Sequence, residues 1–179
     1  LATAKFGSGV EENLDALGRL YGRKGLKWPL MSMEVWDVWF NRWREPVITR
    51  DAKDLAACVK ELLPRASINL YMFIGGTNFG FYNGCSARGN TDLPQITSYN
   101  YDAVLTEWGE PTKKFYELRQ VIRDLYPHIP TFEPRDHTRK AFGPALLTGK
   151  VSLFSCVDQL AQCRISDYPL TMEEAGTGY

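Results

Sequence analysis

The sequence predicts an α/β fold built on a parallel sheet, and three observations carry that reading. Short apolar runs alternate with amphipathic stretches of helical period, in the order strand, helix, strand, helix, strand, helix. The stretch from Trp28 to Met33 is close to continuously apolar, as suits a parallel strand covered on both faces. Residues able to do chemistry gather where the strands end. This alternation fits either a doubly wound sheet or part of a (β/α)8 barrel.

Each element has its own local signal. Leu1 to Phe6 reads as the end of a strand and Gly7 as its exit turn. Ser8, with Glu11 three residues on, forms a capping-box pattern for a helix whose stripe is Val10, Leu14, Leu17 and Tyr21; Gly22 and Gly25 stop it. Trp28 to Glu34 is the second strand. Thr49 or Asp51 caps the next helix, which carries Leu55, Val59, Leu62 and Leu63 and ends at Pro64. Ser67 to Phe73 is the third strand, and Gly75-Gly76 releases it into a loop running from Ile74 to about Pro111. Connections of that length are usually functional. Thr112 then caps a helix with Phe115, Leu118, Ile122 and Leu125 on its apolar face, closed by Pro127.

Composition narrows the partners. Lys plus Arg and Asp plus Glu are equal at 21 each, so no basic field awaits nucleic acid and charge points to a neutral ligand. No apolar run approaches a membrane span, and the first residues hold no secretory pattern. The chain begins at Leu1 without a Met and reads as a segment of something larger. Cys58, Cys85, Cys156 and Cys163 lack the paired spacing of a zinc site and read as free, mostly buried thiols in a reducing compartment. His128 and His137 are isolated and read as solvated, so no metal and no cofactor is expected.

The chemically suggestive stretch is Trp28 to Trp43. A short apolar run ends in the carboxylate of Glu34, and Trp36, Trp39 and Trp43 follow. A carboxylate at the mouth of an aromatic bowl suits sugar chemistry, because ring faces stack on a pyranose and apolar walls tune the acid. Spacing alone fits equally a solvated Glu34 beside core tryptophans.

Resemblance separates these readings. Met31-Ser-Met-Glu-Val-Trp-Asp-Val-Trp-Phe-Asn-Arg-Trp43 resembles the nucleophile segment of the family 35 glycoside hydrolases, the β-galactosidases. Asn69-Leu-Tyr-Met-Phe-Ile-Gly-Gly-Thr-Asn-Phe-Gly-Phe81 and Ser98-Tyr-Asn-Tyr-Asp-Ala103 resemble that family's next two signatures, in its order and spacing. The resemblance covers the chain to about Tyr126 and looks closest to intracellular bacterial members through Cys85-Ser-Ala-Arg88 and Leu93-Pro-Gln95. It implies that residues 1–127 are the last βα units of a (β/α)8 barrel, 128–149 a linker and 150–179 the truncated start of a β-rich sandwich domain.

The same resemblance implies a retaining glycosidase acting on terminal β-linked galactose, with Glu34 as nucleophile and Tyr71, Tyr101, Trp39, Trp43 and Asn78 contacting the sugar. Asn78 also belongs, with Gly75, Gly76 and Gly80, to a turn that these residues shape. The family's acid/base lies in an Asn-Glu pair, and no Asn-Glu dipeptide occurs here. Asp37, Asp102 and Glu107 read as bracing carboxylates, with Asp102 the best of them as a substitute. Val38 and Arg44 stand where the family has Gly, and Asn100 where it has Asp. These features leave a non-catalytic galactose-binding or degenerate remnant as the alternative. The expected partners are a β-galactoside and the remainder of the same polypeptide, in the cytoplasm, with a homodimer left open.

Overall fold

The computed structural model describes residues 2–80, 82–135, 138–162 and 164–176. The element order is β1 (Ala4–Phe6), α1 (Val10–Arg23), β2 (Met31–Trp36), α2 (Ala52–Leu62), β3 (Ser67–Tyr71), a hairpin of β4 (Cys85–Arg88) and β5 (Thr91–Pro94), α3 (Lys113–Leu125) and α4 (Leu153–Leu160). β1, β2 and β3 form a parallel sheet in that order, and β4 pairs with β5 antiparallel. The chain divides into two compact units, residues 1–135 and 136–179.

In the first unit, strand register sorts the side chains. Phe6 pairs with Val35 and Val35 with Leu70, while Lys5 pairs with Glu34 and Trp36 with Tyr71. Successive side chains alternate in direction, so one sheet face carries the Phe6, Val35, Leu70 row and the other carries Lys5, Glu34, Trp36 and Tyr71. The first row packs under the helices in one core with Leu14, Leu55, Val59, Leu62, Val104 and Leu118. Full burial of each such side chain contributes ~1.5 to 3 kcal/mol. The expectation that β2 is covered on both faces is corrected here, because Met33 and Trp36 are exposed. Its boundary also moves: the strand runs to Trp36, two residues beyond Glu34.

The caps differ from the sequence reading in two cases: Thr112 stands at the N-cap of α3 but its hydroxyl donates to the carbonyls of Ala103 and Val104 instead of capping, and Ser8 is not a cap at all. Asp51 caps α2, its Oδ1 accepting from the backbone N–H of Lys53 at 2.8 Å and of Asp54 at 3.1 Å. The N-cap of α1 is Gly9 at φ 61, a left-handed conformation that glycine adopts without steric cost, and no side chain accepts from the first turn. The helix ends in a Schellman motif: Leu26 N–H donates to Tyr21 O and Gly25 N–H to Gly22 O, with Gly25 at φ 67.

The long loop after β3 is not featureless, since hairpin β4–β5 folds within it around Gly89 at φ 59. Cysteine burial is also corrected. Among the described thiols Cys58 is buried, Cys156 half-buried and Cys85 exposed; all three are free. Cys163 and His137 lie outside the described residues.

The second unit, expected to open a β-rich domain from residue 150, holds α4 and no strand among its described residues. A strand gains its hydrogen bonds only from a neighbour, whereas Leu153–Leu160 satisfies its own as a helix. None of its residues is buried, and Arg164 donates to the carbonyls of Glu174 and Ala175.

Candidate active site

Glu34 lies near the carboxyl end of β2 on the sheet face opposite the helices. A cavity of about 340 Å³ opens over it, lined by Glu34, Trp36, Val38, Trp39, Tyr71 and Tyr99. Trp36, two residues along the strand on the same face, donates its indole N–H to Glu34 Oε2 at 3.0 Å. From β1, the ammonium of Lys5 stands 2.7 Å from Glu34 Oε1. Each carboxylate oxygen is thus engaged from one side. The Lys5 hydrogen bond first, and the Trp36 bond second, hold the Glu34 carboxyl below the usual carboxylate range, and Glu34 in turn raises Lys5.

Three of the expected site residues come together: Glu34, Tyr71 and Trp39. Three do not. Tyr101 is 46% exposed and Trp43 is 64% exposed, and neither lines the cavity. Asn78 donates its amide to the Ile96 carbonyl at 3.0 Å, bracing the loop, and does not line the cavity. In place of Tyr101 the structure offers Tyr99, which crosses Tyr71 edge to face with ring centroids 5.8 Å apart. Burial, and then the neighbouring Tyr71 phenol, pushes the Tyr99 phenol up, so it remains a proton donor.

Sequence reasoning missed Tyr99 and Lys5. Tyr99 belongs to the same signature as Tyr101, and the sequence has no signal for which of two tyrosines one residue apart turns inward. Lys5 had a signal in principle, since the end of a parallel strand lies beside the end of its neighbour and Lys5 is the cation at that position.

The carboxylates considered as substitute acids are all occupied. Asp37 is buried; its Oδ1 accepts from Val38 N–H at 2.7 Å and from Asn100 Nδ2 at 3.0 Å. Its Oδ2 faces the Lys114 ammonium at 3.5 Å, an ion pair too long for a well-formed hydrogen bond. Burial pushes the Asp37 carboxyl up, against the pull of Lys114. Asp102 Oδ2 accepts from Lys114 Nζ at 2.7 Å and Arg50 N–H at 2.8 Å. Glu107 accepts from Ser98 at 2.5 Å and Thr77 at 3.0 Å.

The three departures from the family pattern now have places. Arg44 takes φ 64, the one positive φ among the described non-glycine residues, where the resemblance expects glycine. Val38 does not need such a backbone and stands in the cavity wall. Asn100 is buried and bridges two loops, donating to Asp37 and accepting from Asp102 N–H at 2.8 Å.

The rim is made where two loops meet. Asn41 N–H donates to Tyr99 O and Trp43 N–H to Pro94 O, each at 2.9 Å, tying the tryptophan loop to the end of β5 and the segment after it. The guanidinium groups of Arg42 and Arg88 lie 5.7 and 5.3 Å from the Trp39 ring centre. No group of metal-ligating side chains occurs among the described residues, and no helix is long and apolar enough to cross a membrane.

The chain is 42% identical over 131 residues to a beta-galactosidase of Mus musculus, covering 72% of this chain and 19% of that protein. It is 38% identical over 155 residues to a beta-galactosidase of Xanthomonas manihotis, covering 84% and 25%. It is 34% identical over 180 residues to beta-galactosidase-1-like protein 3 of Mus musculus, covering 97% and 26%. The chain therefore spans between a fifth and about a quarter of the length of these relatives. The model of the glycosyl hydrolases family 35 matches residues 1–125, which cover the sheet, its helices and the Glu34 cavity, and the chain belongs to that family.

Proposed function

We propose that this chain is the nucleophile-bearing part of a retaining glycosidase that removes terminal β-linked galactose from oligosaccharides or glycoconjugates. The observation that carries the reading is the Glu34 carboxyl group held between Lys5 and Trp36 beneath an aromatic cavity. In a retaining reaction one carboxylate attacks the anomeric carbon while a second protonates the leaving oxygen, and ~5 to 5.5 Å separates the two. Glu34 suits the first role. The second carboxyl comes from outside these residues, since Asp37, Asp102 and Glu107 are each engaged by other groups and the chain has no Asn-Glu pair.

The sheet's open face supports a further part of the reading. A parallel sheet with helices on one side and Glu34, Trp36 and Tyr71 on the other is what the last βα units of a (β/α)8 barrel present, with the site at the carboxyl ends of the strands. The remaining strands would then belong to the same polypeptide, and residues 150–179 would be the start of a β-rich sandwich domain. The bacterial style of the hairpin and a cytoplasmic location belong to the same proposal; the free thiols Cys58, Cys85 and Cys156 support a reducing compartment.

The test is turnover of a β-galactoside by a polypeptide joining this chain to those strands, with Glu34 intact and as Glu34→Gln. Loss of turnover by several orders of magnitude supports the reading, and normal turnover refutes it. One observation favours a second reading, a galactose-binding remnant: Val38, which stands where the resemblance expects glycine, lines the cavity. Calorimetric binding of galactose without any turnover by the joined polypeptide would establish it.

A further inference from the structure

We propose that Lys5 is the positioning residue of the candidate nucleophile, its ammonium fixing one oxygen of Glu34 while the Trp36 indole fixes the other. The inference rests on the reading of Glu34 as nucleophile and adds to it a residue from a different strand. Lys5 and Glu34 are paired in the β1–β2 register, and Nζ stands 2.7 Å from Oε1. Trp36 Nε1 stands 3.0 Å from Oε2. Two donors from two strands leave the carboxylate no freedom to rotate about its last bond, and one lone pair on each oxygen stays available.

The charge has a direct effect on both chemical steps. In the first, a Glu34 oxygen bonds to the anomeric carbon as the bond to the leaving oxygen breaks, and that oxygen takes a proton from the second carboxyl group. In the second, a water oxygen bonds to the same carbon, the ester bond breaks with its electron pair returning to Glu34, and the water proton passes to the second carboxylate. A cation beside Glu34 makes it a weaker nucleophile and a better leaving group. Lys5 therefore favours release of the sugar over its capture.

Tyr71 faces Glu34 from β3 and Tyr99 from the following loop, and Lys5 is the one cation contacting it among the described residues. The Tyr99 phenol, pushed up by burial, stays protonated across the range in which Glu34 titrates. Lys5 also holds no other ion pair among the described residues, and its side chain is 58% exposed, so its replacement leaves the core untouched.

The test titrates carboxyl-¹³C-glutamate in the 179-residue chain, with the Glu34 signal assigned by its loss in Glu34→Gln. Lys5→Met is expected to raise the Glu34 midpoint, and Lys5→Arg to restore it. In the joined polypeptide, Lys5→Met is expected to lower kcat and KM together for a dinitrophenyl β-galactoside, because the galactosyl-enzyme accumulates. An unmoved Glu34 midpoint in Lys5→Met would overturn the assignment while leaving the glycosidase reading intact. A moved midpoint in a joined polypeptide whose turnover does not depend on Glu34 would overturn that reading, and with it the catalytic role of Lys5.

Discussion

The buried carboxylate of Asp37, one residue beyond β2, faces the buried ammonium of Lys114 on α3 at 3.5 Å. Lys114 also holds Asp102 and donates to the Asp102 carbonyl, so one helix residue ties the loop after β2 to the loop before α3. These are the loops that carry Trp39 and Tyr99 into the cavity.

Removal of that ammonium by Lys114→Met leaves Asp37 with its buried charge uncompensated, and an expected loss of about 3 to 5 kcal/mol follows. The native Asp37 carboxyl binds its proton more tightly than the unfolded one, because burial raises its folded-state pKa. Stability therefore falls as pH rises from the ordinary Asp value through the folded value, and the variant, lacking the pull of Lys114, extends that fall to higher pH. Urea unfolding at about pH 5 and about pH 8 checks this; the larger deficit is expected at the higher pH.

Gly75 is expected to tolerate no side chain. A Cβ there would meet the backbone of Asn100, its N at 2.7 Å, and Glu107 Oε1 at 2.6 Å. Backbone cannot give way as a side-chain tip can, so Gly75→Ala should cost about 1 to 3 kcal/mol and displace the Tyr99 loop. Denaturant unfolding measures the cost, and weakened galactose binding reports the displacement.

Ring contacts should divide according to the cavity. Trp39→Ala is expected to weaken binding of a β-galactoside by about tenfold or more, and Tyr99→Phe by up to about tenfold through one lost hydrogen bond. Trp43→Ala and Tyr101→Phe should change it little, since neither side chain lines the cavity. Calorimetric titration of the four variants makes the comparison.

Much of this site was legible because parallel strands place chemistry at their ends. The apolar run before Glu34 and the stripes Leu14, Leu17 and Leu55, Val59, Leu62 located the strands and helices, and all five of those side chains are buried. Gly9 was not legible as the cap of α1, because Ser8 and Glu11 match a capping box and only the backbone shows that the turn closes one residue later. The hairpin was hidden since Cys85–Arg88 and Thr91–Pro94 are polar and exposed, without the alternation that marks a half-buried strand. The choice of Tyr99 over Tyr101 depends on Asn100, whose buried amide is fixed by Asp37 from a distant part of the chain and by the N–H of Asp102 two residues on. Arg44 was identified in sequence as a departure from glycine, and its φ of 64 supplies the reason glycine is the usual residue there.

The central claim, that Glu34 is the nucleophile, is tested most directly by trapping. Joined to the strands proposed to complete its sheet, the chain is incubated with dinitrophenyl 2-deoxy-2-fluoro-β-galactoside, whose fluorine slows release of the sugar and whose leaving group departs without a proton. Peptide mapping by mass spectrometry then finds the labelled residue. Label on Glu34, abolished in Glu34→Gln, is the expected result. Label on any other carboxylate, or labelling that persists in Glu34→Gln, would contradict the account.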